Sequence, residues 1–84
     1  MNRVLNVVFR AEPEGGFTAV VPSLPGCVTF GKDLKQAQRM ILEAVELYVE
    51  SLAKHGETIP EDAPAFLSSV RVESKGKRMK AYAA

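Results

Sequence analysis

Eighty-four residues suffice for one small domain with a single core, which buries only about 60–65% of the surface its unfolded chain exposes. A hydrophobic fraction of 46% and a charged fraction of 25% exclude a disordered or fibrous chain, and no apolar run approaches the roughly 20 residues needed to span a bilayer. The net charge of +1 is unevenly spread: residues 1–74 hold seven basic and ten acidic side chains, whereas residues 75–84 hold four basic and no acidic ones.

A mildly acidic body meets a positively charged partner more readily than a phosphate backbone, because opposite potentials steer encounter. The N-terminal MNRVLNVVF enters strand-like sequence directly, with no signal-peptide core, so a cytoplasmic location is expected. With one cysteine, no internal disulfide can form. With His55 the only histidine, no Cys/His cluster has metal-ligand spacing, and no metal or cofactor is expected.

RVLNVVFRA, from Arg3 to Ala11, alternates with Leu5, Val7 and Phe9 on one face, the period-2 pattern of a half-buried strand. EPEGG follows, and Gly15 and Gly16 can take the positive φ of a short hairpin connection. FTAVVP, Phe17 to Pro22, is then a second strand antiparallel to the first, with Pro22 at its end because it lacks a ladder donor. In the PSLPG turn, Pro25 and Gly26 suit the central positions of a type II turn. CVTFG gives a short third strand.

Asp33 is a good N-cap, and Gln36 stands three residues on to complete a capping box. The helix is expected to run to Lys54 or His55 and to be stopped by Gly56. Leu34, Ala37, Ile41, Ala44, Val45, Tyr48 and Leu52 form one stripe, directed at the sheet; Lys35, Arg39, Glu43, Glu46 and Glu50 form the opposite face. Met40 and Leu47 on one shoulder, and Leu42 and Val49 on the other, widen the apolar arc beyond the ~100° that covering a sheet requires. The surplus points to an oligomer interface or to loops that cover the shoulders. GETIPEDAPAF, Gly56 to Phe66, is a proline-punctuated connection expected to tuck Ile59 and Phe66 under the core. SSVRVES, Ser68 to Ser74, reads as a fourth strand with Val70 and Val72 alternating against Arg71. The expected organisation is one α+β domain, β-β-β-α-β, over residues 1–74, and a basic, flexible tail over 75–84.

Catalysis finds little support. A nucleophilic Cys27 needs a base, a metal or a helix N-terminus to lower its pKa. His55 lies at the far end of a helix roughly 30 Å long, and Asp33 would raise a thiol's pKa rather than lower it. Cys27 is read as a small buried side chain. Metal-dependent nucleases gather carboxylates on neighbouring strands, whereas Glu12 and Glu14 sit in a hairpin turn and the central strands supply none. GG at 15–16 precedes a strand, so it is no phosphate loop. The chain is not expected to be an enzyme. Lys75, Lys77, Arg78 and Lys80, with Tyr82 nearby, could form an electrostatic arm on nucleic acid or a solubilising terminus.

GGF at 15–17, VPSLPGC at 21–27, Gly31 followed by Asp33, Glu43-Ala44 in the helix and IP at 59–60 together resemble the HicB-type antitoxin family of toxin–antitoxin systems, over about Phe9 to Pro60. The resemblance implies a partial RNase H-like fold, with three antiparallel strands, one helix on a face of the sheet, and a last strand returning beside the first. It implies a partner: a small basic HicA-type toxin shaped like a double-stranded-RNA-binding domain, an mRNA-cleaving ribonuclease whose active site the antitoxin masks. It also implies a homo-oligomer, dimer or tetramer, which would use Met40, Leu47, Leu42 and Val49. Glu12 and Glu14 in the hairpin turn, Leu24 in the PSLPG turn, and Phe30 are the candidate toxin contacts. Full-length members carry a C-terminal DNA-binding domain, whereas this chain stops ten residues after its fourth strand. DNA binding is therefore not expected. A nucleic-acid module acting through the basic tail, and a stand-alone domain without a toxin, stay open as alternatives.

Overall fold

A computed structural model describes residues 3–73. Three strands and one helix follow in the order β1 (Val8–Ala11), β2 (Phe17–Val20), β3 (Val28–Gly31) and α1 (Leu34–Lys54). The strands form one antiparallel sheet, β1-β2-β3, and α1 packs across one face of it. The architecture is α+β, as expected.

The register explains which side chains meet the helix. Val8, Phe9, Arg10 and Ala11 face Val20, Ala19, Thr18 and Phe17, while Phe17, Thr18, Ala19 and Val20 face Gly31, Phe30, Thr29 and Val28. Alternation then puts Phe9, Ala19, Thr29 and Gly31 on the helix side and Val8, Arg10, Thr18, Val20, Val28 and Phe30 on the other. The core is Ala19, Val21, Leu24, Cys27 and Ile41, with Leu5, Val7, Phe9, Ala44, Val45, Tyr48, Val49 and Leu52 packed against it. Leu34 departs from the expected stripe: in the first turn of α1 it is 42% exposed.

Turns and caps hold these elements in place. The β1–β2 connection closes with the Glu12 amide donating to the Gly16 carbonyl at 2.9 Å and Gly15 to Glu12 at 3.0 Å, with φ of 101° and 85° at Gly15 and Gly16. Between β2 and β3 two consecutive turns share Leu24: its amide donates to Val21 at 3.0 Å, and its carbonyl accepts from Cys27 at 2.9 Å. Gly26 has φ 81°, the conformation that the third position of a type II turn demands. Asp33 caps α1 by accepting from the Gln36 amide at 2.8 Å, and the Gln36 side chain reaches back, to Lys32 rather than to Asp33 itself. At the other end Gly56, at φ 67°, donates to Ala53 and Glu57 donates to Leu52, a Schellman motif.

Two strand expectations change. The first ladder starts at Val8 rather than Arg3, because β2 ends at Val20 and the double turn that follows offers residues 3–6 no strand to pair with; Ile59–Ala63 engage them instead. The Asp62 amide donates to Val4 at 2.8 Å, Asn6 donates its amide to Asp62 Oδ2 at 2.9 Å, and its side chain donates to the Ala63 carbonyl at 3.0 Å. The fourth strand is absent over the described part of its range, residues 68–73, which pair with no described residue; Phe66, expected under the core, is 92% exposed. A strand needs an edge to bond, and this segment has left β1 behind. The expected tail lies outside the described residues.

Asp62 also accepts from the Ser23 hydroxyl, joining the connection to the β2–β3 turn. Hydrogen bonds from Ser23 and then from the Asn6 amide hold its carboxyl below the usual aspartate range. A carboxylate depressed in the folded state contributes stability that is complete above its unfolded pKa and lost as pH falls through the folded value. Hydrogen-exchange protection at the Asn6 amide should therefore be steady at neutral pH and fall below about pH 4. In Asp62→Ala it should already be lost at pH 7. Protection that is the same at both ends of that range would refute the tether.

Candidate functional site

The sheet face away from α1 carries the candidate site. Val8, Val20 and Val28 form one cross-strand row, and Arg10, Thr18 and Phe30 form the next, nearer the hairpin. Phe30 is 53% exposed although it stands on a strand. Its ring is backed by Gly16: a Cβ there would overlap the ring and lie 2.8 Å from the Gly31 carbonyl oxygen. GGF therefore does two things, turning the chain and leaving room for Phe30 to lie over the hairpin.

Glu12 is drawn back from the turn onto this face. Its Oε2 accepts from the Thr18 hydroxyl at 2.6 Å and from Arg10 Nε at 3.1 Å. The Thr18 hydrogen bond first, then the Arg10 bond and charge, hold its carboxyl below the ordinary glutamate value. Arg10, Glu12, Pro13, Glu14, Gly15, Thr18 and Phe30 line a concavity of about 520 Å³. An aromatic surface sits beside a fixed ion pair, with Glu14, which pairs with no described residue, at the exposed tip.

Of the expected contacts, Glu12, Glu14 and Phe30 meet in this hollow, and Leu24 does not. Leu24 is 1% exposed, because the two turns that share it place Val21, Leu24 and Cys27 three residues apart and all inward. Arg10 and Thr18 were not among the expected site residues, although they alternate out of phase with Phe9 and Ala19. The expected oligomer residues stand apart: Met40, Leu42 and Leu47 are exposed on α1, while Val49 is half-buried against the core. Lys75, Lys77, Arg78 and Lys80 lie outside the described residues.

Nothing in the site resembles a reaction centre. Burial pushes the Cys27 thiol up, toward its unreactive protonated form. His55, its ring nitrogen Nδ1 within 2.7 Å of the Ser51 carbonyl, is at the far end of α1. The described residues contain no group of three or more His, Cys, Asp or Glu side chains arranged to hold a metal ion, and no helix among them is long and apolar enough to cross a membrane. The arrangement offers a binding surface.

Sequences similar to this one occur in known proteins. A UPF0150 protein of Thermoplasma acidophilum is 46% identical over 56 residues, 67% of this chain and 81% of that protein. One from Synechocystis is 38% identical over 56 residues, 67% and 71% of the two chains, and one from Helicobacter pylori is 45% identical over 49 residues, 58% and 67%. Residues 6–77 match the model of the HicB-like antitoxin of bacterial toxin–antitoxin systems, a span that takes in the hairpin, the double turn, α1 and the Asp62 tether. The chain thus belongs to the HicB-like antitoxin family.

Proposed function

We propose that this protein inhibits a small HicA-type, mRNA-cleaving toxin by seating the uncovered sheet face and the β1–β2 hairpin over the toxin's active site. The observation that carries this reading is the exposed Phe30, an aromatic anchor held beside the Arg10–Glu12 pair in a concave surface. Buried aromatic anchors dominate the affinity of protein interfaces. The charge of residues 1–74, seven basic against ten acidic, favours a basic partner. Inhibition is steric and electrostatic, and the chain performs no chemistry itself. It works in the cytoplasm, where mRNA is the toxin's substrate, as a homo-oligomer with a partial RNase H-like domain.

The test mixes the purified protein with the small basic product of a neighbouring gene and follows RNA cleavage. Cleavage should stop at stoichiometric antitoxin, and Phe30→Asp should weaken inhibition by roughly 30-fold, the equivalent of about 2 kcal/mol at a hot spot. Undiminished cleavage at excess antitoxin would sink the proposal.

A further inference from the structure

Two features of this fold are each left incomplete. The first is the edge of the sheet at β1, which among the described residues pairs with β2 alone. Between this edge and α1 runs an apolar groove, two adjoining hollows of about 380 and 660 Å³ that share Arg3, Leu5, Leu42 and Val45. Its floor is the side of the hydrophobic core, so whatever fills it extends that core. The second feature is the segment Phe66–Val72. It alternates like a strand, yet Val70 is 82% exposed and no described residue bonds to it.

We propose that the segment Phe66–Val72 of one copy lies along β1 of a second copy and fills its groove, and that the exchange is reciprocal, producing a strand-exchanged dimer. The chain's path favours a second copy as the occupant. Ile59, Asp62 and Ala63 run beside Arg3, Val4 and Asn6 in the same direction, tied by the hydrogen bonds of Asp62 and Asn6 and by Arg3 to the Ile59 carbonyl. Pro64 then biases Ala63 toward an extended conformation, and Phe66, Leu67, Val70 and Val72 beyond it stay exposed, so the described residues leave the groove unfilled.

Ser68 to Val72 also has the length of Val7 to Ala11, the part of this edge that Asp62 and Ala63 leave open. Period-2 alternation would turn Phe66, Val70 and Val72 toward the groove together. A free edge strand templates such pairing, and exchange of an identical element closes a two-fold dimer in which each contact occurs twice. The proposal does not rest on toxin binding. An antitoxin that failed to inhibit could still dimerise in this way, and one that inhibited could do so as a monomer.

Light scattering on the full chain at tens of micromolar should give the mass of a dimer. The double substitution Val70→Asp with Val72→Asp alters only exposed residues, so helix content by circular dichroism should be retained while dimerisation weakens at least tenfold. Leu42→Cys and Val70→Cys, made in separate chains, mixed and mildly oxidised, should give a covalent dimer linking one of each. A monomer mass, a dimer indifferent to the aspartates, or cross-linking only within a chain carrying both cysteines would each overturn the proposal. The last result would mean that the segment returns to its own groove.

Discussion

Gly31→Ala is expected to destabilise the protein by about 3 kcal/mol or more, lowering the melting temperature by roughly 12–24 °C for a domain of this length. The reason is the approach of α1 to β3. A Cβ at Gly31 would overlap the Ala37 amide nitrogen and lie 2.6 Å from the Ala37 Cα and 2.9 Å from its Cβ. Backbone atoms cannot rotate out of the way, so the first turn of the helix must lift off the sheet, and Asp33 and the Gln36 cap must move with it. Alanine's better fit to a strand recovers at most about 1 kcal/mol, so the clash wins. Gly15→Ala is the control: nothing lies within 4 Å of its Cβ, and only its φ of 101° is unfavourable. Its melting temperature should fall much less. Equal losses at the two positions would mean that the close approach of α1 at Gly31 costs no more than the strained φ at Gly15, and would refute the clash.

That contrast shows where the sequence was legible. Local chemistry announced the turns and caps: Asp33 and Gln36 at one end of α1, Gly56 at the other, Gly15-Gly16 in the hairpin and Pro25-Gly26 in the double turn each act through a bond to a near neighbour. The stripe of α1 was readable for the same reason, because helical periodicity fixes its facing once one side is apolar. Expectations that required knowing what lies across space fared worse. Val70 and Val72 alternate as a strand should, but alternation does not say which edge the strand will find, or in which copy of the chain. Arg10 and Thr18 were visible as outward residues. Only the register, which sets Arg10 opposite Thr18 and Thr18 opposite Phe30, makes them one surface with Glu12. Leu24 failed differently: a leucine between two prolines and a serine reads as an exposed turn, whereas the paired turns aim it at the core.

Leu24→Ala should consequently behave as a core substitution, with a loss of about 2–5 kcal/mol from a domain whose whole stability is on the order of 4–13 kcal/mol. Leu24 is 1% exposed and packs with Val21, Cys27 and Ile41. The Tyr48 hydroxyl donates to the Pro25 carbonyl at 2.8 Å, so α1 grips the same turn from above. A cavity at Leu24 therefore loosens both turns as well as the contact between helix and connector. Leu24→Met, which nearly conserves volume, should cost less than about 1.5 kcal/mol. Urea denaturation of the three proteins separates a core role from an interface role. If Leu24 were a toxin contact, the alanine variant would keep its unfolding midpoint and lose inhibition. As a core residue it should lose midpoint first, and any surviving folded fraction should still inhibit through Phe30. An unchanged midpoint in Leu24→Ala would return Leu24 to the binding surface.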